Sequence, residues 1–295
     1  MEQQNPFFSV VIPTHNRPKQ LAICLESLSH LDYPRDRFEV IVVDDGSPII
    51  PEDVVAHFLD RLNVILLTQA RTGPAGARNT GVKTAHGDFL AFIDDDCAPA
   101  THWLRNLSVL FLLASDRAIG GRTINGLPNN LYSVTSQTII DVAYAYYNPD
   151  PNQACFFASN NLTVAADLFH DIGGFDVTFT TSEDRDFCDR WRHQGFKMAY
   201  VPEVLLYHFH DLKFGTFWRQ HFNYGRGAYR YHQKRAQHGA GRFRPDLKFY
   251  RRLFFIPFIQ ERGIRVLRVT ILLIISQIAN ALGFLREWLN QTKRR

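Results

Sequence analysis

Residues 89–97 read FLAFIDDDC, five apolar residues followed at once by three aspartates. An uninterrupted apolar run of this length suits a strand covered on both faces, and such strands belong to parallel sheets. Runs of the same character occupy 7–12, 38–43 and 63–67, and helical patterns fall between them at 19–29, 52–61 and 75–85. The resulting βαβαβαβ order predicts a doubly wound, Rossmann-like sheet. Ligands gather beyond the carboxyl ends of the strands in such a sheet. PTHNR follows the first strand, DDGS the second and DDDC the fourth, so three polar clusters are expected along one edge. No G-x-G-x-x-G follows the first strand, which removes the dinucleotide fingerprint.

The second half is less regular. A Tyr-rich helix is predicted over 131–147, a strand or hairpin over 156–165, a turn at DIGGFD, a helix over 183–193 after TTS, and a strand over 197–208. Charge divides the chain more sharply than pattern does. Residues 1–211 hold 15 Lys/Arg against 26 Asp/Glu, whereas 212–295 hold 18 against 3. An acidic body with a basic tail implies separate tasks, and the tail calls for an anionic partner. The four cysteines form no C-x-x-C pair, which argues against a zinc ribbon or disulfide framework and fits a reducing cytosol. The start, MEQQNPFFSVV, has neither a basic n-region nor a long apolar stretch, so no signal peptide is expected.

At a strand end, Asp94 and Asp96 stand at i and i+2 and share a side. Two carboxylates on one site are hard to ionise without a cation. A hard divalent ion, Mn²⁺ or Mg²⁺, binds such oxygens and keeps positions open for substrate phosphates. The plain alternative is a solvated acidic loop, or an N-cap for a helix near Pro99.

Four blocks together carry a resemblance: FSVVIPTHNRPKQLAICLESL, FEVIVVDDGS, GPAGARNTGVKTAHGDFLAFIDDDC and DIGGFD with TSEDRDFCDRW. In order and spacing they resemble glycosyltransferase family 2, nucleotide-sugar enzymes of the GT-A fold, over roughly the first two-thirds of the chain. The resemblance implies an α/β, mostly parallel sheet with helices on both faces. It also implies inverting, metal-dependent transfer of a sugar from a nucleoside diphosphate of UDP, dTDP or GDP type to an acceptor hydroxyl. On this reading 1–211 is the catalytic domain, about 1–125 its nucleotide half and about 126–211 its acceptor half. Asp94-x-Asp96 resembles the family's D-x-D. Asp96 would hold the metal, Asp94 would share it or touch the ribose, and Asp95 belongs with the donor contacts. Asp45, with Asp44 as its neighbour, resembles the base or ribose contact, although an Asp-Gly turn explains the pair equally. Pro13 and Thr14 resemble the nucleoside wall and also suit a turn that ends a strand. Arg78 would meet the diphosphate or base edge, or else is a helix-surface arginine. Asp184 in the E-D block resembles the general base, supported by Glu183; acidic residues also suit a helix's first turn after a cap at Thr180, Thr181 or Ser182. His208 resembles a histidine that completes the metal shell, or is simply structural with His210. The Q-x-x-R-W of polymer synthases is absent, which favours single addition.

Residues 269–285 carry no charge and span ~26 Å as a helix, against a hydrocarbon core of ~30 Å. Ser276, Asn280, Gly283 and Glu287 form one stripe on it, a pattern of a helix lying in a membrane surface. Arg262, Arg265 and Arg268 precede it and Lys293, Arg294 and Arg295 follow; Trp218, Tyr224, Arg226, Tyr229 and Arg230 lie upstream. The tail is therefore expected to dock on the anionic inner face of the cell membrane, with a lipid-linked saccharide or glycan as acceptor. A single-spanning anchor and a helix packed on the catalytic domain stay open. Two rival readings fit the sequence less well. A sugar-phosphate nucleotidyltransferase needs a Gly-rich loop after strand one, which PTHNRPKQ lacks. A nucleic-acid-binding nuclease fits poorly with an apolar tail, so no nucleic acid is expected.

Overall fold

The computed structural model describes residues 5–237 and 245–292. In chain order the elements are β1 (Phe8–Thr14), α1 (Pro18–Leu28), β2 (Phe38–Asp45), α2 (Glu52–Ala56), β3 (Val64–Gln69), α3 (Pro74–Val82), β4 (Phe89–Ile93), β5 (Cys97–Pro99), α4 (Trp103–Leu113) and β6 (Arg117–Asn125). They continue as α5 (Leu131–Tyr147), β7 (Asn161–Ala165), α6 (Ala166–Ile172), α7 (Glu183–His193), β8 (Lys197–His208), α8 (Phe214–Gln237), α9 (Leu247–Phe255), α10 (Pro257–Gln260) and α11 (Ile264–Thr292).

One eight-stranded sheet runs β3-β2-β1-β4-β7-β6-β8-β5. The half predicted from the apolar runs is parallel throughout. Every residue of β1, β2 and β4 is buried. Side chains of β4 alternate between two cores. Phe89, Ala91 and Ile93 join Leu25, Trp103 and Phe111 on one face, and Leu90 and Phe92 join Phe157, Phe187 and Trp191 on the other. That double cover is why these strands read as continuous apolar runs. The other half is mixed: β7 is antiparallel to β4 and β6, β6 is parallel to β8, and β5 is antiparallel to β8. The β6–β8 register shifts between Gly121 and Arg122. A Cβ on Gly121 would lie 1.9 Å from the Val204 carbonyl oxygen, so only glycine fits this crossing.

Some predicted bounds shift. The helix expected over 52–61 ends at Ala56. Of the strand or hairpin expected over 156–165, only Asn161–Ala165 pairs. DIGGFD is a turn as expected, with Gly173 and Gly174 at φ +83° and +68°.

The tail helices pack on the body. Val142 of α5, Leu253 of α9, and Val269 and Leu273 of α11 form their own small core. α11 also lies along α8 in backbone contact. A Cβ on Gly225 would meet the Asn280 oxygen at 1.9 Å, and one on Gly283 the Phe222 oxygen at 1.9 Å. Buried Glu287 accepts from Arg226 Nε at 2.9 Å and Arg230 Nε at 2.7 Å. The stripe of Ser276, Gly283 and Glu287 therefore faces protein, whereas a helix resting alone on a membrane would turn it to water. What faces outward is apolar: Ile271, Ile274, Ile278, Leu282, Leu285, Trp288 and Leu289. The flanking Lys293, Arg294 and Arg295 lie outside the described residues.

Candidate active site

The carboxyl ends of β1, β2 and β4 open into a cleft of about 1320 Å³. Pro13, Thr14, Asp45, Arg78, Asp94, Asp95, Asp96, Glu183, Asp184 and His208 all line it, so the structure brings together nearly every residue singled out in the sequence. Asp44 is the exception. It points the other way from Asp45 along β2, where Oδ2 accepts from the Ser47 amide at 3.0 Å and buried Oδ1 has no hydrogen-bond partner among the described residues. Asp45 gathers the loop before α3, accepting from Gln69 Nε2 (2.7 Å) and the amides of Thr72 and Gly73 (2.8 Å each). Burial alone would raise its pKa, but these donors hold it below the ordinary value. Gly46 follows at φ +73°, so the turn reading and the cleft-lining place both hold.

After Ile93 the chain turns tightly, the Cys97 amide donating to the Asp94 carbonyl at 3.1 Å. β5 then pairs Cys97 with His208, and this register places His208 Nε2 3.1 Å from Asp96 Oδ1. On the other side, Arg17 Nη1 donates to Asp96 Oδ2 at 3.0 Å and to Asp95 Oδ1 at 3.1 Å. Thr14 Oγ1 donates to Asp95 Oδ2 at 2.7 Å, so Thr14 contributes its hydroxyl as well as backbone. Burial would raise both carboxyls. It prevails at Asp95, pushed up to about 6, while His208 and Arg17 hold Asp96 far below the ordinary range. His208 in turn resists the lowering effect of burial because Asp96 faces it, and its pKa is raised. His210, stacked on His208 at 4.7 Å, is lowered to about 4 by burial and by that neighbour.

Ligand atoms of Asp96, Cys97 and His208 lie within 4.8 Å of one another. The donor set fits a divalent ion that takes oxygen and nitrogen. The carboxylate and imidazole suit Mn²⁺, while burial holds the Cys97 thiol protonated and makes it a poor ligand. Asp94 sits apart from this group, accepting from Arg78 Nη2 at 2.6 Å. Arg78 is buried, and its Nη1 donates to Glu183 Oε1 at 3.0 Å. Its guanidinium thus ties the end of β4 to the start of α7.

α7 begins without a side-chain cap. Ser182 holds φ +71°, and Thr181 Oγ1 donates instead to the Asn223 carbonyl of α8 at 2.9 Å. A left-handed serine directly before the E-D pair is a strained position, of the kind that clusters at active sites. Asp184 Oδ1 accepts its neighbour's amide, that of Arg185, at 2.7 Å. Burial first, and then the Glu183 carboxylate, push Asp184 up to about 7. A carboxylate poised there can take a proton from a hydroxyl near neutral pH. Asp186 is buried helix structure, paired with Arg190 and Lys234.

Arg17 and His15 line the cleft but drew no reading in the sequence, and Gln277, Asn280 and Phe284 of α11 line it too. Arg17 had one signal, a lone cation inside a polar cluster after a strand.

A sheet of this order, with a carboxylate turn at its carboxyl edge and a second acidic pair opposite, has the GT-A fold of glycosyltransferases. Glycosyl transferase family 2 matches residues 9–182, more than half of the chain, and the chain belongs to that family. This sets aside the nucleotidyltransferase and nuclease readings. Among characterised relatives, glycosyltransferase AglE of Haloferax volcanii is 28% identical over 226 residues, 75% of this chain and 73% of that protein. The pre-mycofactocin glycosyltransferase of Mycobacterium tuberculosis is 31% identical over 209 residues, 68% of this chain but only 42% of that one. Among solved structures, mannosyltransferase PcManGT from Pyrobaculum calidifontis, in complex with GDP-Man and Mn²⁺, superposes with a TM-score of 0.68 at 16% identity. That likeness covers 96% of this chain and 88% of the other. S. aureus TarS 1–349 with UDP-GlcNAc gives 0.55 at 18% identity, covering 94% and 89%.

Proposed function

We propose that this glycosyltransferase moves one sugar, with inversion, from a nucleoside diphosphate to an acceptor hydroxyl at a membrane surface. The observation that carries the reading is the shared cleft, in which Asp96 with His208 and Asp184 with Glu183 stand on either side of the Arg78 bridge. A Mn²⁺ or Mg²⁺ ion on Asp96 and His208 would neutralise the charge that develops on the diphosphate leaving group. Asp184 takes the acceptor proton, while Arg78 and Glu183 hold the turn of α7 against β4. Pro13, Thr14 and Asp45 bound the nucleoside end, with Asp94 and Asp95 along the donor path, and 1–211 forms the catalytic body. Neighbours solved with GDP-Man and Mn²⁺, or with UDP-GlcNAc, support a nucleotide-sugar donor.

Calorimetric titration of UDP, dTDP and GDP, with and without Mn²⁺, tests the donor site. One nucleotide is expected to bind in a Mn²⁺-dependent way and to lose that binding in Asp96→Ala. Absence of diphosphate binding under every condition would overturn the reading.

Membrane seating is supported by the outward apolar face of α11 and by exposed Arg262 and Arg268 near its start; Arg226 and Arg230, expected on that surface, pair with Glu287 instead. α11 is the one described helix long and apolar enough to cross a membrane, yet its buried Glu287 favours lying on the bilayer. Acceptors of lipid-linked or glycan type follow from that placement. The full chain is expected to co-sediment with anionic phospholipid vesicles at low salt and to come off partly at high salt. Complete release at low salt would refute the membrane reading and leave the donor site untouched.

A further inference from the structure

We propose that Arg17 stands in for the divalent cation, leaves Asp96 when metal and donor bind together, and then meets the donor's diphosphate. This rests on the reading that Asp96 and His208 hold the metal.

Both oxygens of Asp96 are already engaged, Oδ1 by His208 and Oδ2 by Arg17. A single nitrogen, Nη1, bridges Asp96 and Asp95, so positive charge lies between the two carboxylates. A divalent ion held by Asp96 and His208 would enter at Oδ1, between carboxylate and imidazole, and would find the Arg17 guanidinium on the other oxygen of the same carboxylate, where the two cations repel. The two partners are not equally held. His208 is 17% exposed and fixed by the backbone pairing of β5 with β8. The Arg17 side chain is 47% exposed and reaches in from the residue before Pro18, at the start of α1. Arg17 is the partner that leaves. It lines the cleft between Thr14 and Asp45, and its Nε and Nη2 have no hydrogen-bond partner among the described residues. A diphosphate arriving there offers the freed fork two or more anionic oxygens, a pairing guanidinium groups favour.

Thermodynamic linkage then fixes the consequence. Metal alone must break the Arg17 contacts without replacing them, whereas metal with diphosphate gives Arg17 new ones, so each ligand strengthens the other. A guanidinium that stayed on the carboxylates would repel the metal and attract the diphosphate whether or not the other was bound, so its loss would leave the coupling between the two ligands unchanged.

The test is calorimetry on the full chain, wild type and Arg17→Gln, titrating Mn²⁺ alone and then UDP, dTDP or GDP without and with saturating Mn²⁺. Loss of Arg17 is expected to tighten Mn²⁺ alone about tenfold and to weaken the diphosphate about tenfold, within the range of allosteric couplings. The diagnostic result is a smaller ratio of nucleotide affinities with and without Mn²⁺ in Arg17→Gln than in wild type; an unchanged ratio overturns the proposal. Mn²⁺ affinity that falls or stays unchanged in that variant overturns the proposal, as does diphosphate affinity that rises with it. Thermal melting shows whether Arg17→Gln is folded. If it is not, Arg17→Lys, which keeps the charge and one bridging nitrogen but has no fork to offer a diphosphate, must weaken the diphosphate and leave Mn²⁺ alone little changed. Wild-type protein without Mn²⁺-dependent diphosphate binding would sink the metal reading and this proposal together. Asp96-dependent binding that is indifferent to Arg17 would sink this proposal alone.

Discussion

Asp184→Asn is expected to lower turnover by about 10²–10⁴ while leaving Mn²⁺-dependent diphosphate binding intact. Asparagine fills the same volume and its carbonyl can still accept the Arg185 amide, but it cannot take a proton. Binding should survive because Asp184 does not touch Asp96; the Asp94–Arg78–Glu183 bridge lies between them. The pH profile supplies the second signature. Asp184 is raised to about 7, and its base form is the deprotonated one, so wild-type turnover should fall about tenfold per unit below that pH and level off above it. The residual rate of the variant should lack this acid limb. Nucleoside-diphosphate release from saturating donor, with membranes as the acceptor source, measures both. Unchanged turnover would remove Asp184 from the chemistry. A lowered rate that kept the acid limb would move the titration to another group, and Asp95, at about 6, is the nearest candidate.

Glu287→Ala should destabilise the protein by about 3 kcal/mol, the low end for breaking a buried charge network. The low end applies because Arg226 and Arg230 keep roughly a third of their side chains open to solvent. The carboxylate is itself nearly fully buried, and its removal leaves two guanidinium groups facing each other with nothing between them. Arg230 Nη1 also donates to the Thr178 carbonyl at 2.9 Å, in the loop that leads to Ser182 and Asp184. Loosening α11 therefore reaches the candidate base as well. Denaturant titration of the full chain in mild detergent reads the stability, and Glu287→Gln, which keeps one acceptor, should fall between the two. A variant as stable as wild type would show that the glycine-to-backbone contacts and the core of Val142, Leu253, Val269 and Leu273 hold α11 in place without it.

The parallel half of the sheet was legible because burial on both faces leaves an unbroken apolar signature, as in β4. The polar clusters were legible because the topology sends every parallel strand's carboxyl end to the same edge. The mixed half was harder. β6 and β7 contain glycine and polar residues whose packing depends on a bulge, and Gly121 shows its purpose only beside Val204. Choosing between Asp44 and Asp45 needed strand parity at the very end of β2, where one residue of register reverses the answer. Arg17 stood in the PTHNR cluster, but its role was not legible, since its partners come from a distant strand end and no periodicity points to them. For α11 the stripe was visible but not its direction: a helical repeat says that one face differs, not whether protein or water lies against it.

That direction turns α11 into a ruler. Gln277, Asn280 and Phe284 face the cleft, while Ile274, Ile278 and Leu285 face outward about a quarter-turn round the same helix. The separation of the two faces is therefore less than one helix diameter, which is about 10–12 Å with side chains. On a membrane-seated enzyme the acceptor end of the cleft would stand no farther than that above the lipid. A hydroxyl one or two sugars from its lipid anchor would fall within reach, and one carried on a long spacer would overshoot.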